Sequence, residues 1–449
     1  MKNLYTLLLI PTFLMFHFSS LGQAILITDS MAVPRVLHEV QTLPNGKVLV
    51  MGGINNTQGP TVYHIERSCE IYDPATGQWS MTDSLMLPRS KFTTVVTNGG
   101  KVLVIGGETT SQGQVLNVES FDPATEKWSV VGTLPSIISN CDAIVTSTGE
   151  ILVVRYLHYY KGNADGSTWT EETPSNHVSS GERPQLFQMN NGKILSIGSQ
   201  PSGNDFAVEY NNFTATTSSF MVDDQTGTNM AQLPSGQVLV AGSGSRISEI
   251  YDPTNGSFTS TASSSRIIEG ELMPMTDGRI AAMVQNDILG IGGPGTKILE
   301  IYDPNTNMWT ASSAHYINNP IAVRSVAMGN GKYLICGGID NGGFHNSGSR
   351  AAYIFDENAS PAVSLLENAI IDLLLVRNGF NQFKVEGNLE SLRMVNSVAI
   401  YNTGGQLIDQ QNLSPSNPIF EVRSLARGIY IFLLVDKAGQ NIYRQKMTF

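Results

Sequence analysis

Cysteine is scarce in this chain. There are three in 449 residues, Cys69, Cys141 and Cys336, with no CxxC spacing and no Cys/His pattern. That excludes a disulfide scaffold and a zinc module. Cys336 ends the apolar run Tyr333-Leu334-Ile335-Cys336 and reads as a small buried hydrophobe. Charge is sparse too, at 14% of residues, and acids outnumber bases 38 to 27 for a net charge of -11. Without clustered Lys and Arg to displace counterions, no nucleic-acid partner is expected. After the first twenty residues, no run is apolar for long enough to cross a bilayer.

The start of the chain has its own pattern. Lys2 precedes an apolar stretch from Leu4 to about Phe18, and small residues follow at Ser19, Ser20 and Gly22. This reads as a secretory signal over residues 1–22, cut before Gln23. The stretch is short for a membrane span and no stop-transfer pattern follows, so no transmembrane anchor is expected. A retained anchor is the alternative. No cysteine near the cut marks a lipoprotein.

What the sequence has in plenty is glycine, 43 residues, arranged in a repeat. A turn, a glycine, a polar residue and an apolar run recur seven times, as in Asn45-Gly46-Lys47-Val48-Leu49-Val50 and Ser235-Gly236-Gln237-Val238-Leu239-Val240. The marker glycines are Gly46, Gly100, Gly149, Gly192, Gly236, Gly278 and Gly331, with separations near fifty residues, the period of a propeller blade. Asn-Gly and Asp-Gly supply the positive φ of a tight hairpin turn. The apolar run does not alternate, which suits a strand covered on both faces. Doubled glycines close several runs, at Gly52-Gly53, Gly106-Gly107 and Gly337-Gly338. A second motif follows: Tyr72-Asp73-Pro74 with Trp79, Phe121-Asp122-Pro123 with Trp128, Tyr251-Asp252-Pro253 with Phe258, and Tyr302-Asp303-Pro304 with Trp309. Each repeat therefore reads as four strands with the second aromatic on the outermost. The third and fourth repeats lack the doubled glycine, and the fourth has no Trp.

The seventh repeat has no fourth strand of its own. Residues 28–35 (TDSMAVPR) match residues 82–89 (TDSLMLPR), which follow the Trp79 strand, at an offset of 54. Ala24–Thr28 is therefore expected to be the outer strand of the last blade. Doubled glycine, spaced Tyr and Trp together resemble the kelch repeat, including the galactose-oxidase-like propellers, across about residues 24–357. The expected fold is all-β: a seven-bladed kelch-type β-propeller over 23–357, a linker over 358–369, and a small β-sandwich over 370–449.

That last region shows six strand-like runs: Asp372–Val376, Gln382–Val385, Ser397–Tyr401, Ile419–Val422, Tyr430–Val435 and Ile442–Met447. Residues 398–407 (VAIYNTGGQL), 425–430 (LARGIY) and the basic 443–446 (YRQK) resemble the C-terminal sorting domain of the type IX secretion system of Bacteroidetes. The resemblance implies export to the outside or the cell surface, with the type IX machinery as partner. The opening Pro-Asn-Pro of that family is absent; Arg377-Asn378-Gly379-Phe380 stands there. An ordinary Ig-like accessory domain is the alternative.

Chemistry is less legible. Glu70, Glu119, Glu249 and Glu300 recur two residues before the Tyr or Phe because the repeat recurs, so they read as structural. The stretch from Asn163 to Trp169 resembles an Asp-box but occupies a blade turn. No metal and no cofactor is expected. Three long loops, 54–63, 285–295 and 339–349, fall on one face of neighbouring blades one, six and seven. They and the blade 6–7 connection carry Tyr63, His64, Asp287, Asp340, Phe344, His345, His315 and Tyr316 as candidate ligand-binding residues. Arginines near the starts of inner strands, Arg35, Arg89 and Arg324 foremost, are candidates for a positive channel mouth, which would favour an anionic ligand. Pairing with neighbouring acids is the other reading. The expected function is noncatalytic recognition of a glycan or an extracellular protein. The kelch resemblance implies as alternative a carbohydrate-active enzyme, a sugar mutarotase before a copper-radical oxidase.

Overall fold

The computed structural model describes residues 24–448 apart from 56–63, 110–112, 114, 156–157, 173–181, 200–204, 212, 223–227, 243–245, 266, 285–296, 317–319, 322, 341–347, 359–372, 378–381, 388–394, 403–406, 415–417, 423–428 and 436–440. The signal segment 1–22 and the linker 358–369 fall outside these, save Asn358. The chain divides into two compact units, Met1–Pro361 and Ala362–Phe449.

The first unit holds seven four-stranded antiparallel sheets. Blade 1 runs from the inner strand Glu39–Thr42 through Val48–Met51 and Cys69–Asp73 to the outer Gln78–Met81. Blades 2 to 6 repeat this order, and blade 4 is complete despite its missing Trp. Neighbouring inner strands pack on one another around the whole circuit, including blade 7 on blade 1, so the ring is closed. The apolar runs of the second strands are buried, wholly so in Val48–Met51 and Val102–Ile105, because the next blade covers either face.

Closure follows the offset of 54. Ala24–Ile27 pairs antiparallel with Ala352–Asp356, with Ala24 opposite Asp356 and Ile27 opposite Tyr353. Blade 7 is therefore built from both ends of this unit, and Ala24–Ile27 covers the edge that Ala352–Asp356 would otherwise leave open. The aromatic pairs set the outer half of each blade. Tyr72–Trp79, Phe121–Trp128, Tyr251–Phe258 and Tyr302–Trp309 have ring centroids 5.1, 5.1, 4.9 and 5.3 Å apart, all tilted by nearly the same angle. The doubled glycines are required by contact: Gly52 and Gly53 have φ of 60° and 95°, and a Cβ on Gly52 would come within 2.8 Å of the Arg89 carbonyl of the next blade.

The second unit has two sheets. One orders Leu373–Arg377, Gln382–Gly387 and Ile419–Glu421; the other orders Leu407–Asn412, Ser397–Asn402, Ile429–Val435 and Asn441–Thr448. Phe383, Val385 and Phe420 of the first meet Val398, Ile400, Phe432 and Leu434 of the second in one core, the arrangement of a small sandwich. Leu407–Asn412 is a seventh strand beyond the six expected. It is polar and exposed at a sheet edge, so it lacks the apolar signal by which the others are read.

Candidate functional site

The arginines divide into two kinds. Arg35 and Arg89 are fully buried inside the blades. Arg35 donates to the Gly52 carbonyl at 3.0 Å, the Ser68 carbonyl at 2.7 Å and Glu70 Oε1 at 3.0 Å. Arg89 repeats this with the Gly106 carbonyl at 3.1 Å and Glu119 Oε1 at 2.7 Å. The two glutamates also accept backbone N–H groups, Ala32 on Glu70 at 2.6 Å and Met86 on Glu119 at 2.7 Å. Each arginine thus ties a doubled-glycine corner to the third strand. The placing of Arg35 and Arg89 at a ligand-facing mouth is corrected: they are pinned between blades, in the structural pairing. Glu249 and Glu300 are buried in the same way, accepting from Val222 N at 3.1 Å and Ser265 N at 3.0 Å.

Arg324 is the other kind. It opens the inner strand of blade 7, Arg324–Gly329. Its Nη2 lies 2.6 Å from Glu39 Oε1 of blade 1 and its Nη1 3.6 Å from Glu271 Oε1 of blade 6, while Nε donates to the His38 carbonyl at 3.2 Å. Ser325 Oγ donates to Glu271 Oε2 at 3.2 Å. Asp142 of blade 3 accepts from Thr93 Oγ1 of blade 2 at 3.3 Å and from Leu186 N of blade 4 at 2.7 Å.

These residues share one position. Glu39, Thr93, Asp142, Gln185, Asn229, Glu271 and Arg324 each stand seven residues before a marker glycine. The ladders confirm the equivalence: Glu39 pairs Met51, Thr93 pairs Ile105, Asp142 pairs Val154, Gln185 pairs Ile197, Asn229 pairs Ala241 and Arg324 pairs Cys336. Glu271 adjoins a bulge between Ile268 and Leu272, a device that re-aims side chains. All seven are polar. They form a ring at the end of the inner strands from which the long loops rise. The repeat register was the signal that would have found Glu39, Asp142 and Glu271 in the sequence, because it can be counted from the glycines.

The ring's electrostatics follow from its enclosure. Protein surrounds these groups while solvent reaches them along the channel, leaving Glu39, Glu271 and Arg324 side chains 20%, 32% and 38% exposed. Burial pushes the Glu39 carboxyl up to about 7, with Glu271 and Asp142 adding to the rise and Arg324 opposing it. Burial likewise raises Glu271 and Asp142. Glu39 above all holds the Arg324 guanidinium higher than usual. Asp142 perturbs and is perturbed across the axis, so charges from blades 1, 3, 6 and 7 face a common space. Acids outnumber the arginine there, so the positive mouth expected from sequence is corrected as well.

The other candidates are dispersed. Tyr63, Asp287, Phe344 and His345 lie outside the described residues. His64 sits in a two-residue ladder with Asn55 at the base of the blade 1 loop, 63% exposed and 3.6 Å from Glu66. Asp340 pairs Pro320 in another short ladder beside blade 7. His315 and Tyr316 end the outer strand of blade 6, opposite Ile298 and Lys297. An open depression of about 530 Å³ lies on the opposite, hairpin-turn side, lined by Thr97, Gly99, Lys101, Asn163, Ala164 and Asp165. Its charged groups are engaged locally, Lys101 with Asp122 at 3.4 Å and Asp165 with Ser167 N at 3.0 Å, so it is the poorer site.

Among the described residues, no three His, Cys, Asp or Glu side chains come together as metal ligands. His38 is buried, held neutral by desolvation and by Arg324 and Arg35, with Nε2 3.9 Å from Cys336 Sγ. His158 faces Glu171 at 2.8 Å.

Residues 42–86 and 89–135 match the Kelch motif. No curated protein matches the sequence. Among solved structures, the chain is similar to a fungal alcohol oxidase of the AA5 family in complex with copper, at 14% identity and a TM-score of 0.56 over 94% of this chain and 98% of that one. At that identity the likeness is one of fold: the protein is a seven-bladed kelch-type β-propeller followed by a small β-sandwich.

Proposed function

We propose that this is a secreted or cell-surface recognition protein that binds a glycan or protein ligand at the loop-face mouth of the propeller. The observation that carries the reading is the seven-membered polar ring. An inner strand has no need of a polar residue at one fixed level in all seven blades unless that level meets solvent or a ligand. The strands of blades 1, 6 and 7 that lead into the long loops of the sequence end on the same side, at the stretch of ring occupied by Glu39, Glu271 and Arg324. The test is glycan and peptide array screening, followed by titration of variants with the best hit. Arg324→Ala and Glu271→Gln should weaken binding tenfold or more, while Lys101→Ala on the hairpin-turn side should leave it intact. Binding that survives both ring changes, or that maps to the second unit alone, overturns the reading.

One observation favours a second reading in the same ring. A carboxyl held near neutrality and open to solvent, as Glu39 is, suits proton transfer to and from a sugar hydroxyl, the chemistry of a mutarotase. Anomer exchange measured by NMR decides it: a rate no greater than buffer removes the enzyme and leaves binding.

A further inference from the structure

We infer that the ring carries a proton-dependent clasp: when Glu39 takes up a proton, the guanidinium of Arg324 passes from Glu39 to Glu271, and the mouth presents one negative charge fewer. The geometry supplies both seats. Arg324 has a close acid in Glu39, at 2.6 Å, and a looser one in Glu271, at 3.6 Å. Its Nε is anchored on the His38 carbonyl at 3.2 Å, so the head group can turn between them without losing that bond. Ser325 Oγ holds Glu271 Oε2 at 3.2 Å, so the acid stays and the arginine moves.

The charged groups acting on Glu39 come from three other blades: Arg324 of blade 7, Glu271 of blade 6 and Asp142 of blade 3. His38, on the same stretch of chain, stays neutral and turns its Nε2 towards Cys336. The proton comes from solvent in the channel and leaves by the same route. A protonated Glu39 still accepts one N–H but no longer forms an ion pair, so Glu271 becomes the stronger partner. Burial and the two acids bring the exchange into the neutral range, since Glu39 is pushed up to about 7. The clasp rests on the proposed ligand site only for its consequence: a cationic group on a ligand is held more firmly above the transition than below it.

The experiment needs no ligand. Side-chain carboxyl carbons of the mature full-length protein are titrated by NMR, with the Glu39 signal assigned by its loss in Glu39→Gln. The Glu39 midpoint is expected between about 6 and 8. It should fall in Glu271→Gln and in Asp142→Asn, and rise in Arg324→Met. The Arg324 Nε–H resonance should shift with the same midpoint, and that shift should vanish in Glu39→Gln. A midpoint near the ordinary 4.5, or one unmoved by Glu271→Gln, overturns the clasp. Should Arg324→Met not fold, Glu271→Gln decides alone. Failure here leaves ligand binding at the ring untouched, and failure of the array screen leaves the clasp standing.

Discussion

At the scale of single residues, the same arginine side chain does opposite things according to where the blade puts it. Arg89 is sealed against Glu119 with no exposure on either side chain. Removing one partner strands a buried charge, so Glu119→Ala is expected to destabilise by roughly 3–5 kcal/mol, read as a lowered denaturation midpoint. A paired replacement of Arg89 and Glu119 by apolar residues of similar volume should recover much of that loss, because the desolvation penalty goes with the charges. Glu39 makes a prediction in pH. Its folded value lies above its unfolded one, so the folded state binds the proton more tightly. That contribution to stability is fully present below about 4.5 and is lost as pH rises through about 7. Thermal unfolding of the parent should therefore decline between pH 5 and 8 more steeply than that of Glu39→Gln. Parallel curves would show that Glu39 titrates normally.

At the scale of elements, the closing strand joins local pattern to global form. Ala24–Ile27 gains its meaning from Ala352–Asp356, which lies at the far end of the same unit. Deleting residues 23–30 leaves the outer edge of blade 7 bare. It also takes away the strand that leads into Met31, a buried member of the blade 7 and blade 1 core, and so loosens that residue's hold. The truncated protein is expected to melt at least several degrees lower, and an unchanged melt would sink the velcro-like closure as a source of stability. Elements were legible where hydrophobic runs and turn glycines coincide. All seven hairpin turns have the marker glycine at positive φ, as the Asn-Gly and Asp-Gly pairs require. The polar edge strand Leu407–Asn412 was not legible, because its pairing with Ser397–Asn402 is carried by backbone groups that every residue has.

At the scale of the whole molecule, the propeller and the sandwich each have a core of their own. We propose that the second unit is the export signal and the first the binding body. Removing residues 362–449 should leave the propeller's melting and ligand affinity unchanged in the purified protein. In a host with type IX secretion it should leave the propeller in the periplasm, and normal surface delivery would count against the sorting role. The count of blades, the ring closure and the all-β class were determined by the sequence alone, because hydrophobic period, turn chemistry and the offset of 54 are local or directly countable. The membership of the polar ring was countable as well, seven residues before each glycine, but its chemistry was not. Glu39 and Arg324 are 285 residues apart in the chain and 2.6 Å apart in space. Arg35 and Arg324 look alike in sequence, yet one is sealed between blades and the other opens on the axis. Charge acts through distance and enclosure, and both exist only once the seven blades have closed.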